Sequence, residues 1–157
     1  MSTDRLGPLE AVVGTWAGVG EGIYPTIATF GYREEITFAD GGVKPFLAYS
    51  QRTSALDDGR PLHAESGFLR WATRSPEWII ASPTGLTEVL VGEATEVDGG
   101  LDLLLRSASV SLSPTAKLVE AVERIVRVRG DVLTYELHMA AVGQPMQLHL
   151  VAELHRR

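Results

Sequence analysis

The sequence predicts an all-β fold, an up-and-down antiparallel barrel of about ten strands, on three observations. Short strand-like segments, rich in β-branched and large apolar residues, recur at a spacing of roughly 12–15 residues along the chain. Turn formers separate them, at Asp40-Gly41-Gly42, Asp57-Asp58-Gly59, Pro83-Thr84-Gly85, Asp98-Gly99-Gly100 and Arg129-Gly130-Asp131. Helix signals are sparse. Ten strands close into a barrel wider than the eight-stranded kind that holds one small ligand, so an internal cavity is expected.

The elements follow in order. Residues 7–13 (GPLEAVV) predict a helical turn or two, with Pro8 at an early helical position and Gly14 ending it. Strands are expected at 16–23, 32–39, 44–53, 62–73, 77–82, 86–92, 101–107, 122–129, 132–140 and 146–155. Between the seventh and eighth, 113–121 (SPTAKLVEA) reads as a second short helix, with Ser113 its N-cap and Pro114 its first helical residue, or as only a loop or a short turn. In the first strand the glycines let the backbone bend and let neighbours approach closely, and Trp16 plugs one end of the barrel.

Composition narrows the function classes. A chain of 157 residues is one domain by length. With no cysteine, disulfides, thiolate metal sites, a cysteine nucleophile and covalently attached haem are all excluded. The net charge of −6 argues against a broad nucleic-acid or anionic-membrane surface. The opening residues, with Asp4 among them, do not read as a leader, and no apolar run approaches the ~18 residues needed to span a membrane. A cytoplasmic protein is expected.

Several chemistries fail on spacing. Gly18-x-Gly20 would need a third glycine where Ile23 stands, so the glycine cluster is not a dinucleotide loop. There is no G-x-S-x-G elbow, and Ser66 and His63 fall on opposite faces of a strand. The doublets Glu34-Glu35 and Asp57-Asp58 read as solvated surface. Four histidines remain: His63, His138, His149 and His155. His149 and His155 lie about 20 Å apart along a strand and cannot share a metal. A three-histidine zinc site would need His63, His138 and His149 to converge. A single axial histidine suffices for haem.

Gly14-x-Trp16-x-Gly18-x-Gly20, continuing into Gly22-x-Tyr24-Pro25-Thr26-Ile27, resembles the N-terminal signature of the nitrobindin family. Further matching segments are Lys44-Pro45-Phe46-Leu47, Pro61-Leu62-His63-x-Glu65-Ser66-Gly67-Phe68-Leu69-Arg70 and Leu112-x-Pro114-Thr115-Ala116-Lys117. The set closes with Met139-x-Ala141-Val142-Gly143-Gln144-Pro145-x-Gln147-x-His149-Leu150, so the resemblance covers essentially the whole chain.

The resemblance implies a barrel related in shape to fatty-acid-binding proteins, with non-covalent ferric haem b at its mouth. It implies isomerisation of peroxynitrite to nitrate and reversible binding of nitric oxide. Carried over residue by residue, His149 is the axial ligand of the haem iron. Thr26 approaches the haem, Leu62 and His63 stand on the distal side, and Met139 lines the pocket. Lys117 is assigned on its charge as a propionate partner, with Arg124 a second candidate.

Alternation resists one of these assignments. In 146–155 it puts Met146, Leu148, Leu150, Ala152 and Leu154 on one face and His149 on the other, away from an apolar interior. A bulge near Pro145, or a haem lying at the mouth, reconciles the two. The alternative function is a carrier of a fatty acid or other apolar ligand. For that role Arg124, Arg127 and Arg129 alternate poorly, since Arg124 takes the opposite face from the other two. Leucines expected on the outer face fit a homodimer.

Overall fold

The turn formers do what their spacing predicts. In the computed structural model, which describes residues 5–157, ten antiparallel strands follow one another through hairpins, and Asp4 lies outside the described residues. They are β1 (Gly14–Tyr24), β2 (Ile27–Asp40), β3 (Phe46–Ala55), β4 (Pro61–Ala72), β5 (Ser75–Ser82), β6 (Leu86–Val97), β7 (Gly100–Leu112), β8 (Val119–Arg129), β9 (Val132–Ala141) and β10 (Gln147–Arg156). Each pairs with its sequence neighbours, and β10 pairs with β1 to close the barrel, from Trp16 opposite Arg156 to Gly22 opposite Leu150. No helix among the described residues is long and apolar enough to cross a membrane.

The expected N-terminal turn is a 3-10 helix, Gly7–Val12, with Pro8 near its start. It buries Leu9 and Val12 under one end of the barrel. Trp16 completes this floor: it is fully buried, donates its Nε1–H to the Val12 carbonyl at 2.9 Å, and carries the Arg156 guanidinium over its ring. Phe38, Leu47 and Leu69 pack into the same cluster.

Close approach explains the first strand's glycines. A Cβ on Gly18 would lie 2.1 Å from the Glu153 carbonyl oxygen of β10, and one on Gly20 would meet the Tyr32 ring at 2.4 Å. These positions let β1 sit tight against both neighbours where the barrel closes.

Two local readings are resolved by the structure. Of those open for 113–121 the short turn forms and the helix does not: 114–116 make a single turn, and β8 begins at Val119. The Ser113 N–H donates to the Gly85 carbonyl at 2.7 Å, which ties this segment to the turn between β5 and β6. Pairing of Val119 with Ala141 and Ala121 with Ala140 outweighs the local helix signals. The strand expected to run through Thr73 ends at Ala72, because Thr73 and Arg74 both adopt positive φ, 52° and 63°, and turn the chain in a two-residue hairpin.

Candidate functional site

The barrel interior is layered. Below the mouth a cavity of about 1040 Å³ opens inward. Ile27, Leu86, Val119, Leu137, Met139 and Leu150 give its upper wall an apolar character. Beneath them lies a belt of polar side chains, and beneath that the apolar floor around Trp16.

His149 reaches this cavity through a bulge. Leu148 pairs with His138 and Leu150 with Leu137, so His149 is the extra residue between them. The insertion reverses the face rule: Leu148 shares the outward side with His138, while His149 and Leu150 both line the cavity. The alternation that turned His149 away is thus corrected, and the bulge sits at the histidine itself, four residues beyond Pro145.

The His149 ring is held from outside the cavity. Its Nδ1 lies 2.9 Å from the Ile23 carbonyl oxygen. A carbonyl can only accept, so Nδ1 carries the proton and Nε2 is left with its lone pair. Ile23 stands where β1 slips register against β2, between Gly22 and Tyr24. Tyr24 supports the imidazole edge-on, with centroids 5.4 Å apart, and its hydroxyl accepts from the Ala141 N–H at 3.0 Å and donates to the Met139 carbonyl at 3.0 Å. Burial lowers the His149 pKa, the Ile23 bond opposes this, and the charge of nearby His63 adds to the lowering. The ring is therefore neutral at neutral pH, with Nε2 unprotonated.

His63 lines the same cavity from β4, half-buried, with Nε2 3.0 Å from Glu65 Oε2. Glu65 also takes both terminal nitrogens of Arg124, at 3.0 and 3.2 Å, and the Tyr49 hydroxyl at 2.8 Å. Arg124 pairs in turn with Glu88. Burial alone would raise the Glu65 pKa, but the Arg124 charge and the hydrogen bonds from His63 and Arg124 outweigh it and hold the carboxyl far below the usual range. A second polar group joins β2, β3 and β9: Glu34 accepts from Gln51 Nε2 at 2.6 Å and from the Tyr135 hydroxyl at 2.6 Å. With too little compensating charge, burial raises the Glu34 pKa to about 7.

This belt corrects the surface reading of Glu34-Glu35. Glu34 is only 2% exposed, whereas Glu35 faces out and pairs with Arg52 and Arg157. The signal was present in Tyr32-x-Glu34-x-Ile36-x-Phe38, four inward positions at period two. Arg124 is indeed the inward arginine of its strand, but its guanidinium is engaged by two carboxylates.

The other sequence candidates are spread around the mouth. Met139 lines the cavity. Thr26 is exposed in the β1–β2 turn, next to Ile27 of the cavity wall, and Lys117 is exposed on the β7–β8 loop two residues before Val119 of that wall. His138 bonds Glu136 on the outer face, so the three histidines of a zinc site do not converge. His155 is exposed beside Glu153 at the far end of β10.

Known proteins share this fold and sequence. Residues 5–156 match the family model described as "THAP4-like, heme-binding beta-barrel domain". The chain is 48% identical over 153 residues to a protein named peroxynitrite isomerase 2 from Mycobacterium avium, covering 97% of this chain and 94% of that one. It is 49% identical over 152 residues to the peroxynitrite isomerase of Nocardia farcinica, covering 96% and 90%. The crystal structure of Rv2717c from M. tuberculosis superposes with a TM-score of 0.92 at 46% identity, covering 99% of this chain and 97% of that one. By fold and by sequence, the chain belongs to the nitrobindin family of haem-binding β-barrels.

Proposed function

We propose that the chain is a cytoplasmic peroxynitrite isomerase that holds ferric haem b at the barrel mouth and also binds nitric oxide reversibly. The observation that carries this reading is the state of His149: neutral, aimed into an apolar-walled cavity, and protonated on Nδ1 so that Nε2 is free. Metal-ligating histidines are commonly prepared in this way, with the second nitrogen tied to a carbonyl that fixes ring and tautomer. The names of the two isomerases support the same reading.

The residues divide the work. His149 would hold the iron through Nε2, and the Ile23 carbonyl would strengthen the basicity of that nitrogen. Met139 and the apolar wall would keep water from a haem bound in the cavity. Thr26 and Lys117, both exposed on loops beside the cavity wall, would bind it from the mouth, Lys117 through its charge. His63 would bind from β4. Ferric haem supplies Lewis-acid chemistry toward the nitrogen–oxygen substrate. No side chain need exchange a proton during an isomerisation.

The carrier alternative lacks its anchor, because the inward guanidinium of Arg124 is already paired with Glu65 and Glu88. Titration of apoprotein with hemin tests the proposal. A Soret band saturating at one equivalent, its absence in His149→Ala with the far-UV spectrum unchanged, and faster peroxynitrite decay with nitrate as product are expected. A wild type without a Soret band, or unchanged haem uptake by His149→Ala, overturns the reading.

A further inference from the structure

Two imidazoles share the cavity, and that raises a problem of coordination. A haem held by His149 with a second histidine nearby is open to capture of its sixth position, which would shut out a small ligand. His63 lines the same cavity as His149 and lies near enough for its charge to act on that ring.

The two rings differ in which nitrogen is free. His149 donates Nδ1–H to Ile23 and leaves Nε2 open. His63 is tied through Nε2, 3.0 Å from Glu65 Oε2. An ionised carboxylate only accepts, so His63 carries its proton on Nε2, and its remaining lone pair is on Nδ1, the nitrogen crowded by its own Cβ. The less hindered ligand atom is out of play.

The hold on His63 is rigid at one end and loose at the other. Glu65, with a side chain 8% exposed, is gripped by Tyr49 from β3 and by both terminal nitrogens of Arg124 from β8. Glu88 of β6 fixes the far side of Arg124. By contrast the His63 side chain is 32% exposed, and its ring has room to turn. Without an acceptor at Glu65, nothing in this arrangement prevents the other tautomer.

We propose that Glu65 is a positioning residue that keeps His63 off the haem iron by occupying its Nε2–H, and so holds the sixth coordination position for the nitrogen–oxygen ligand. This deepens the haem reading and rests on it. The role is one of exclusion: Glu65, at the cavity wall, acts through His63.

The apoprotein gives the first test, with no haem and no variant. Histidine 15N NMR at neutral pH is expected to show His63 protonated on Nε2 and His149 protonated on Nδ1; His63 protonated on Nδ1 overturns the proposal. The second test reconstitutes wild type, Glu65→Leu, Glu65→Gln and Glu65→Leu/His63→Ala with hemin and reads spin state by absorption and EPR. Glu65→Leu leaves Arg124 paired one-to-one with Glu88, so no uncompensated charge is left in that cluster. It is expected to turn mostly low-spin, with apparent nitric oxide affinity lowered about tenfold where nine-tenths of the iron is six-coordinate. Wild type and the double variant stay high-spin, and Glu65→Gln, which keeps an acceptor, stays mostly so. A haem-loaded Glu65→Leu that remains high-spin overturns this proposal alone, whereas a wild type that takes up no haem overturns the haem reading with it.

Discussion

The Tyr135 hydroxyl donates to Glu34 Oε1 at 2.6 Å, across the interior from β9 to β2 and below the mouth. The bond does not suffice to keep this carboxyl acidic, since burial carries its pKa from 4.5 to about 7. The folded state therefore binds a proton that the unfolded chain releases between those values. Stability from this group is complete below the unfolded pKa and declines as pH rises through 7. A shift of that size is worth about 3 kcal/mol between pH 4.5 and 8. Urea midpoints of wild type are expected to fall across that range, with a flatter profile for Glu34→Gln and a crossover that leaves the variant the more stable at pH 8. Parallel profiles would contradict the assignment.

Glu65 has the opposite sign. Its folded pKa is depressed, so its contribution is present above the ordinary carboxylate value and is lost as pH falls below it. Acid unfolding is expected to begin below about pH 4. Arg124→Met leaves Glu65 and Glu88 facing each other in the interior, and breaking a buried pair from one side typically costs about 3–5 kcal/mol. Chemical denaturation at pH 7 measures it; a loss under about 1 kcal/mol would mean the cluster is hydrated rather than dry.

Closure of the barrel depends on Gly18. With the Glu153 carbonyl oxygen 2.1 Å from an added Cβ, Gly18→Ala must push β1 from β10, and a loss of roughly 2–4 kcal/mol is expected. Gly41 faces open space within 4 Å, and Gly41→Ala is expected to stay within about 0.5 kcal/mol of wild type. Thermal melts of the pair separate local strain from a general intolerance of substitution.

The Tyr24 hydroxyl can be tested apart from its ring. Tyr24→Phe orphans the Ala141 N–H, a buried donor, at about 1–3 kcal/mol of stability. The edge contact with His149 survives, so haem uptake is expected to change less than threefold in a hemin titration.

The strands were legible because their boundaries are written in local chemistry, Asp-Gly and Pro-x-Gly at the turns. Where a turn lacks those residues, as at Thr73-Arg74, the boundaries blur: the strand was expected to end at Thr73, one residue late, and the next to begin at 77, two residues late. In 113–121 local helix signals were genuine but lost to pairing with β9, a partner some twenty residues away along the chain. His149 shows the limit most plainly. A period-two reading assumes one residue per step, and the bulge at His149 breaks that assumption. Only the resemblance of the segment around it singled His149 out from the four histidines. The polar belt was missed for another reason: a charged residue on an inward position was set aside as surface, although its neighbours Tyr32, Ile36 and Phe38 shared its face.

Ile23 and His149 are 126 residues apart, one on the strand that starts the barrel and one on the strand that closes it. A nascent chain thus completes nine strands before His149 is made, and the imidazole is not oriented until the ends meet. The tautomer of the ring is therefore a property of the closed barrel, absent from any chain that stops short of β10.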